Sequence, residues 1–329
     1  MTQADGAASG ERGAAGVAGA AAGERPRLVV LRALGLGDFL TAVPALRALA
    51  AGFPRHRRLL LAPAWIEPLA ALLDGAVEEV VDVEGRRAVP GALPPAVHGA
   101  DIAVNLHGRG PQSHAALAGT RPGRLIAFAC GDVRGPAWRD GEHEVARWCR
   151  LLAESGIPAD PANLDLDPPP ATVRHGATVL HPGAAAPARR WPTDRWAAVA
   201  RAERAAGRSV VVSAGPGEEE AAASTAAAAG LPPSAVHAGG DLTDLARLVG
   251  GAGRVACADT GVAHLATALG VPSVVLFGPA PPSEWGPPPG RPRHRVLWAG
   301  RRGDPNGPAP DPGLLEIGPA QVVAELAAL

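Results

Sequence analysis

The chain has 329 residues, of which 47% are hydrophobic and 3% aromatic, and its formal net charge at pH 7 is −1. This length favours two domains, and the near-zero charge excludes a whole-chain basic field that would attract nucleic acid or an anionic membrane. All 31 basic residues are arginine, which excludes Schiff-base chemistry and a Walker-type phosphate loop because both need a lysine amine.

The cysteines and the apolar runs bear on the compartment. Cys130, Cys149 and Cys257 are far apart and lack CxxC spacing, so neither a disulfide framework nor a zinc knuckle is expected. No run of about 18 strongly apolar residues occurs that would span a bilayer. Residues 1–25 lack the basic start and leucine-rich run of a secretory signal. The sequence predicts a cytoplasmic protein, with peripheral attachment to the inner membrane face as an open alternative.

The first half of the chain alternates strand and helix patterns after an Ala/Gly-rich stretch over residues 1–25, which is predicted to be a disordered tail. The predicted strands are 28–31, 59–61, 77–83, 101–106 and 125–129, and the predicted helices are 38–51, 65–73, 112–118 and 142–154. Such alternation is typical of a parallel sheet with helices on both faces. Residues 26–157 are therefore expected to form an N-terminal Rossmann-like domain.

Prolines interrupt this pattern, and a linker is predicted over residues 158–175. The alternation then restarts, with Asp241 as the cap of one helix. The predicted strands are 178–180, 209–213, one beginning at Val236, 254–258, 273–277 and, inside an otherwise loop-like segment over 279–312, 295–298; the predicted helices are 194–206, 218–229, 241–249, 261–269 and 319–329. A second α/β domain is thus expected over 176–318, closed by a helix over 319–329.

Four polar turns follow predicted strands, where open parallel sheets bind their ligands. The first holds Gly35, Gly37 and Asp38. Its glycines permit a sharp turn, and Asp38 is either a general base or ligand contact, or simply a helix N-cap, a role that Asp favours. A GxG without a correctly spaced third glycine supports dinucleotide binding only weakly.

The second turn carries Gly183, Ala184, Arg189 and Arg190 between a strand and a helix. Its small residues would expose backbone N–H groups to an anion, and its arginines would pair with phosphates. The alternative is a surface loop with solvated arginines.

The third turn places Glu218 and Glu219 at the start of a helix. A carboxylate there either holds ribose hydroxyls, as acidic residues do after Rossmann strands, or belongs to the acidic first turn that a helix dipole favours. The second explanation is the stronger one from the sequence alone, because acidic first turns are frequent.

The fourth turn comprises Asp259, Thr260, Gly261 and His264 and opens a helix, whose N-terminus is suited to an anion. His264 is either a binding residue or a core histidine with its hydrogen bonds satisfied, and the other polar residues of the turn favour a binding role. The ten histidines lack HxxxH and HExxH spacing, so no metal site and no cofactor are predicted. Ser213 and Ser273 lack a GxSxG setting, which argues against the nucleophile elbow of serine hydrolases.

Three motifs in this order resemble glycosyltransferase family 9, the family of lipopolysaccharide heptosyltransferases. They are LGLGDFLTAVPA at residues 34–45, HPG at 181–183 with RRWP at 189–192, and DTGVAHLA at 259–266 leading into FGP at 277–279. The resemblance covers about residues 27–329. It implies the GT-B fold, an α/β architecture of two Rossmann-like domains facing a central cleft, which agrees with the two domains predicted above.

The resemblance also implies roles. Asp38 is the expected catalytic base, and the fourth turn is expected to hold the donor's pyrophosphate and sugar. Arg189 occupies a position where lysine is common in the family, and Glu218 or Glu219 would lie near the nucleoside. The residues expected on the donor side are Gly183, Ala184, Arg189, Arg190, Glu218, Glu219, Asp259, Thr260, Gly261 and His264.

The resemblance implies that the N-terminal domain over 26–157 is the acceptor side, whose residues are less well marked in the sequence. Arg32, Gly37, His107 and Arg109 are weak candidates, with His114 nearby. The phosphate loop has Ala184 and Ala185 where some family members carry threonines, so backbone N–H groups and arginines would bind in place of hydroxyls. Arg189 for lysine changes a point charge to a fork.

The sequence thus predicts an inverting, metal-independent glycosyltransferase. It would move a sugar, a heptose from an ADP-activated donor, to a glycan, a lipid-linked glycan or a secondary metabolite. Two alternatives remain open: a GT-B-type nucleotide-sugar epimerase or hydrolase, and a non-catalytic nucleotide-sugar-binding protein. The first would need further acidic or histidine residues in the cleft, and the second would need no base at Asp38.

Overall fold

A computed structural model describes residues 25–83, 92–170 and 176–329. These residues form two α/β units, each built on a parallel sheet. The predicted tail, apart from Arg25, and the end of the predicted linker, residues 171–175, lie outside the described residues. The fold class predicted from the alternation of strands and helices is confirmed.

The first sheet has five parallel strands in the order β3-β2-β1-β4-β5. Their bounds are β1 Arg27–Leu31, β2 Arg57–Ala62, β3 Glu79–Asp82, β4 Ile102–Asn105 and β5 Arg124–Ile126. The helices of this half are α1 Leu36–Thr41, α2 Val43–Gly52, α3 Glu67–Ala70, α4 Gln112–Gly119 and α5 Glu144–Glu154. Strands β1 and β4 at its centre are almost wholly buried, as expected for a sheet covered on both faces.

The second sheet has six parallel strands in the order β11-β10-β9-β6-β7-β8. Their bounds are β6 Thr178–His181, β7 Val210–Ala214, β8 Val236–Ala238, β9 Arg254–Ala258, β10 Ser273–Phe277 and β11 His294–Trp298. The helices are α6 Thr193–Ala205, α7 Glu219–Ala228, α8 Leu242–Gly250, α9 Gly261–Ala268, α10 Pro282–Trp285, α11 Pro312–Leu315 and α12 Pro319–Ala327. The final helix, α12, packs on α6.

Three helical predictions differ from the structure, each near a proline. The helix predicted over 38–51 is interrupted at Ala42, because Pro44 has no N–H and its ring would collide with the carbonyl of Leu40. The helix predicted over 65–73 is shorter and begins as a 3-10 turn, Ala64–Ile66, before Pro68. The segment predicted as loop-like contains α10, with Pro282 at its first position.

Each sheet reverses its strand order at one point, between β1 and β4 in the first and between β6 and β9 in the second. Loops that leave neighbouring strands in opposite directions open a crevice there, where doubly wound sheets bind ligands. The first, second and fourth polar turns of the sequence follow β1, β6 and β9. The topology therefore directs these three turns to the two crevices.

The two units touch through α1 and α9. Gly261 at the start of α9 lies so close to Leu36 at the start of α1 that a Cβ on residue 261 would be 2.7 Å from the Leu36 Cβ. The proline-rich segment crosses this region as well, since the Leu166 N–H donates to the carbonyl of Ala268 at 2.8 Å. The starts of α1 and α9 therefore lie at the junction between the units.

Two further observations concern the described residues as a group. Their three cysteines are free; Cys149 and Cys257 are buried, and burial raises the pKa of the Cys149 thiol to about 12. Among these residues, no helix combines the length and the apolar character needed to cross a membrane.

Candidate functional site

Asp38 lies in the first turn of α1, at the junction between the two units. Its Oδ2 accepts the backbone N–H of Gly35 at 3.1 Å, so the carboxylate does help to cap the helix. Its Oδ1 lies 3.5 Å from Nη2 of Arg32, and 28% of its side chain is exposed. Capping uses one carboxylate oxygen and leaves the other beside the guanidinium.

The charge state of Asp38 reflects opposing influences. Burial raises the pKa of the Asp38 carboxyl above its ordinary value, and the charge of Glu144 adds to the rise. Arg32, the Gly35 N–H and Arg189 all lower the pKa, but burial outweighs them. The weakening of the base that a helix N-terminus causes is thereby offset.

Arg32, a candidate on the acceptor side, is only 1% exposed. Its Nε donates to the Asp38 carbonyl at 2.9 Å, and its Nη2 donates to the hydroxyl of Thr41 at 3.1 Å and to Oε1 of Glu144 at 3.0 Å. The guanidinium also stacks on Trp148, 4.7 Å from the ring centroid. The structure therefore places Arg32 beneath Asp38, inside the first unit.

The donor-side turn places Asp259 and Arg189 together. Nη1 of Arg189 donates to the Asp259 carbonyl at 3.1 Å and lies 3.9 Å from its Oδ2. Burial raises the pKa of Asp259 to about 6, against the lowering effect of Arg189, and the charge of Asp38 raises it further. Asp38, Arg189 and Asp259, far apart in the chain, thus influence one another electrostatically.

Arg189 is held by its neighbours in the chain. It ends a 3-10 turn, Pro187–Arg189, that packs on the loop before α11. The Ala188 N–H donates to the Gly307 carbonyl at 3.2 Å, and the Ala188 carbonyl accepts the N–H of Asp311 at 3.1 Å. No local sequence pattern predicts this support, because the supporting segment lies more than a hundred residues away along the chain.

His264 of α9 packs against Gly37 of α1. A Cβ on residue 37 would lie 2.6 Å from the imidazole Cδ2, so the contact requires glycine there. The ring also meets Trp285 edge to face, with centroids 6.1 Å apart. Burial lowers the pKa of His264 to about 4, with smaller contributions from His143 and two arginines, so the imidazole is neutral at pH 7.

The remaining residues of the fourth turn form the start of α9. Thr260 is its N-cap with an extended backbone, and Gly261 is its first residue. Gly261 lies next to Leu36 of α1. The structure therefore brings the N-terminus of α9 to the same place as Asp38.

Glu218 belongs to a second group of donor-side candidates. Its Oε2 accepts the Gly215 N–H at 2.9 Å and lies 3.3 Å from Nε2 of His181, while His181 Nδ1 contacts the Ser213 hydroxyl at 3.0 Å. A Cβ on Gly183 would lie 2.2 Å from the Glu218 carboxyl carbon. Glu218 is thus fixed over the loop after β6.

The other candidates of that loop and helix have different surroundings. Glu219 is exposed on the first turn of α7. Ala184 is buried, and its carbonyl accepts the Nε–H of Arg190 at 2.9 Å. Arg190 itself is exposed. Of the two glutamates, Glu218 is the one that contacts the loop.

The acceptor-side candidates after β4 lie in one loop. The His107 N–H donates to Oδ1 of Asn105 at 2.9 Å, and burial together with Arg32 lowers the pKa of the His107 ring to about 4. Arg109 is exposed, and His114 is buried on α4. The structure thus brings His107 near Arg32 and leaves Arg109 at the surface.

Two residues at the start of α5 went unnoticed in the sequence. Nε2 of His143 contacts the Gly286 carbonyl of the second unit at 2.9 Å. Glu144 is buried beside Arg32. Both belong to an ordinary amphipathic pattern, and only the folded topology shows their positions. In the part of the chain that the structure describes, no three His, Cys, Asp or Glu side chains are grouped to hold a metal ion.

Comparisons with known proteins identify the family and the fold of the chain. The model of glycosyltransferase family 9 (heptosyltransferase) matches residues 132–307, more than half of the chain. Comparison with curated proteins gives no significant match.

Solved structures with a similar fold include two heptosyltransferases and one glycosyl transferase family 9 protein. ADP-heptose lps heptosyltransferase II of E. coli is 22% identical, with a TM-score of 0.73 over 92% of this chain and 98% of that one. A glycosyl transferase family 9 protein of Veillonella parvula is 21% identical, with a TM-score of 0.71 over 92% and 96%. E. coli heptosyltransferase WaaC with ADP is 19% identical, with a TM-score of 0.67 over 92% and 99%. The chain belongs to glycosyltransferase family 9 and is a glycosyltransferase with the two-domain GT-B fold.

Proposed function

We propose that this glycosyltransferase transfers a heptose from ADP-heptose to an acceptor hydroxyl, with inversion, without a required metal and with Asp38 as the general base. The observation that carries the proposal is the meeting of Asp38 with the turn at Asp259 across the junction of the two units. The structures of WaaC with ADP and with ADP-2-deoxy-2-fluoro heptose support the choice of nucleotide and sugar.

The donor side of the proposal places the diphosphate at the N-terminus of α9. The first turn of a helix offers unpaired N–H groups and a partial positive charge to an anion. Arg189, beside Asp259, adds a full positive charge at the same place. When the sugar–oxygen bond breaks, these groups stabilise the charge that develops on the departing ADP.

On the nucleoside side, we assign the ribose to Glu218 rather than Glu219. Glu218 lies over Gly183 at the mouth of the loop after β6, whereas Glu219 is exposed. Carboxylates after Rossmann strands bind ribose hydroxyls in this way. The glycine at 183 supports the assignment, because any side chain there would displace the carboxylate.

The base side of the proposal assigns proton transfer to Asp38. The acceptor oxygen attacks the anomeric carbon from the face opposite ADP, its proton passes to the Asp38 carboxylate, and the bond to the diphosphate oxygen breaks. The raised pKa of Asp38 makes it a better base than an ordinary surface aspartate. Attack opposite the leaving group inverts the anomeric configuration.

The acceptor is proposed only as a class. The loop after β4 carries His107 and Arg109 on the side of the first unit where Arg32 and Asp38 lie. An exposed arginine suits an acceptor with anionic groups, such as a phosphorylated or carboxylated glycan, a lipid-linked glycan or an acidic secondary metabolite.

The proposal is tested by turnover of ADP-heptose against a panel of ADP-, GDP-, UDP- and dTDP-sugars, with acceptor glycans and excess EDTA in every reaction. We expect ADP release only with the ADP-sugar, persisting in EDTA. Asp38→Asn keeps the size and the capping oxygen but removes the base. It is expected to lower kcat by about 10²–10⁴-fold, the usual contribution of a general base, with ADP affinity unchanged.

Three results would refute parts of the proposal separately. Turnover of a different nucleotide sugar would refute the donor assignment. Loss of activity in EDTA that magnesium or manganese restores would refute metal independence. Wild-type kcat in Asp38→Asn, with chemistry rate-limiting, would leave Asp38 only as a capping residue.

A further inference from the structure

Glu144 is a buried carboxylate with three side-chain donors around it. It is the first residue of α5 and only 4% exposed. Oε1 accepts hydrogen bonds from Arg32 Nη2 at 3.0 Å and from the Trp148 indole at 2.9 Å, and Oε2 accepts one from Arg147. Burying a carboxylate costs free energy unless it is paired in this way, so the cluster needs an explanation.

The Glu144 cluster is connected to the proposed base, Asp38, through Arg32. Arg32 holds Glu144 with the same Nη2 that lies 3.5 Å from Oδ1 of Asp38. Its Nη1 donates to the Leu106 carbonyl at the end of β4. Arg32 is almost fully buried and links the carboxylate of Glu144 to that of Asp38.

We propose that Glu144 is a positioning residue of the transfer reaction: it anchors Arg32 and compensates the guanidinium charge, so that the Asp38 carboxylate is held in place without losing its basicity. The inference rests on the proposed role of Asp38 as the base. It explains why a charged pair is buried here, where an apolar pair of similar volume would be equally or more stable.

The charges around Asp38 come from several elements. Arg32 follows β1, Glu144 and Arg147 belong to α5, Arg189 and Asp259 approach from the second unit, His264 faces Gly37, and His107 lies in the loop after β4. Among them, Arg32 lowers the pKa of Asp38 and Glu144 raises it. Replacing Glu144 by a neutral residue removes the raising charge while the lowering charge of Arg32 stays, so the pKa of Asp38 falls.

The direct test measures the pKa of Asp38 itself, by carbon-13 NMR of aspartate carboxyls with the Asp38 signal assigned from Asp38→Asn. In Glu144→Gln we expect this pKa to fall by about 1 unit, the lower end of the effect of a nearby charge. The acidic limb of the kcat profile should move to lower pH by the same amount, and kcat on the plateau should fall about tenfold, with ADP affinity unchanged.

Glu203→Gln is the matched control. Glu203 is also buried and paired, with Thr178 at 2.6 Å and Arg208 at 3.0 Å, but it lies on α6 in the second unit. It should share any general loss of stability and leave both the Asp38 titration and the acidic limb in place.

The outcomes separate the two proposals. An unchanged or higher Asp38 pKa in folded Glu144→Gln overturns the role of Glu144. A lower Asp38 pKa with an unmoved acidic limb supports the role of Glu144 in holding Asp38 and refutes Asp38 as the base.

If Glu144→Gln fails to fold, the double variant Arg32→Met with Glu144→Gln removes both charges of the pair. Since Arg32 lowers the Asp38 pKa and Glu144 raises it, the Asp38 pKa in the double variant should lie below that in Arg32→Met alone. An equal or higher Asp38 pKa in the double variant than in Arg32→Met would overturn the role of Glu144.

Discussion

Arg189 is the cationic side chain next to the turn at Asp259, and it is supported from the loop before α11. Arg189→Ala should weaken ADP binding by about 1.5–3 kcal/mol, the range for hydrogen bonds to charged groups, which titration calorimetry would measure as a Kd raised roughly 10- to 150-fold. Arg201→Ala is the control, since Arg201 also donates to one carbonyl, that of Ala228, but lies exposed on α6. An unchanged Kd in Arg189→Ala would remove the diphosphate from this place.

The sequence predicts the positions of some site residues and not of others. Asp38, Asp259 and His264 belong to motifs at strand ends, so their common location follows from the parallel topology. Glu144 carries no such signal, because its partner Arg32 lies in another part of the chain and only the packing of α5 against α2 brings them together. Buried ion pairs of this kind are set by tertiary structure and leave no local pattern.

Helices α1 and α9 approach closely because residue 261 has no side chain. A methyl group in Gly261→Ala would lie 2.7 Å from the Leu36 Cβ and force the two units apart. We expect kcat to fall by about 10²-fold, the cost of misplacing reacting groups by roughly 1 Å, while ADP affinity changes little because the backbone N–H of residue 261 remains. Steady-state kinetics with parallel calorimetry would measure this.

Two companion variants test the cause of that loss. Gly119→Ala adds a methyl group to a glycine with open space around it and should have wild-type kinetics. Leu36→Gly combined with Gly261→Ala removes the side chain that the added methyl group would meet and should recover part of the activity. Full activity in Gly261→Ala alone would show that the close approach is not required for turnover.

At the level of elements, strands were easier to predict than helices. Buried apolar runs such as β1, β9 and β10 appear in the structure within one or two residues of their predicted bounds. The helix predicted over 38–51 was wrong at its centre because Pro44 fits a first turn but not a helix interior. The apolar periodicity of the sequence continues past Pro44, whereas the helical backbone is interrupted at Ala42.

The whole molecule responds to pH through three partly buried histidines. The pKa values of His107, His264 and His294 are each lowered to about 4, chiefly by burial. Between about pH 4 and 6.5 the unfolded chain therefore binds more protons at these sites than the folded chain, so the free energy of unfolding rises with pH. Asp259, whose pKa is raised to about 6, and Asp38, whose pKa is also raised, act in the opposite direction, but the three histidines outnumber the two carboxyls.

Urea unfolding at pH 4.5, 5.5 and 6.5 should thus show stability increasing with pH. His294 lies at the start of β11, where its Nδ1 contacts the Ser273 hydroxyl at 2.9 Å. His294→Gln removes one of the three histidines and should make the dependence of stability on pH shallower. Stability that falls over this range, or a slope unchanged in His294→Gln, would contradict the assignment.

The abutting first turns of α1 and α9 have an electrostatic consequence for the molecule as a whole. Each helix N-terminus carries about half of an elementary positive charge, and two of them at one point would push the units apart. Asp38 in α1 and Asp259 directly before α9 bring negative charge to that point. The two helix dipoles therefore stabilise the two carboxylates, and the carboxylates offset the positive charge of the helix N-termini. Mobile ions screen such balances beyond about 8 Å at physiological ionic strength. We therefore expect the salt concentration of the medium, as well as substrate binding, to influence how readily the two units of the enzyme associate.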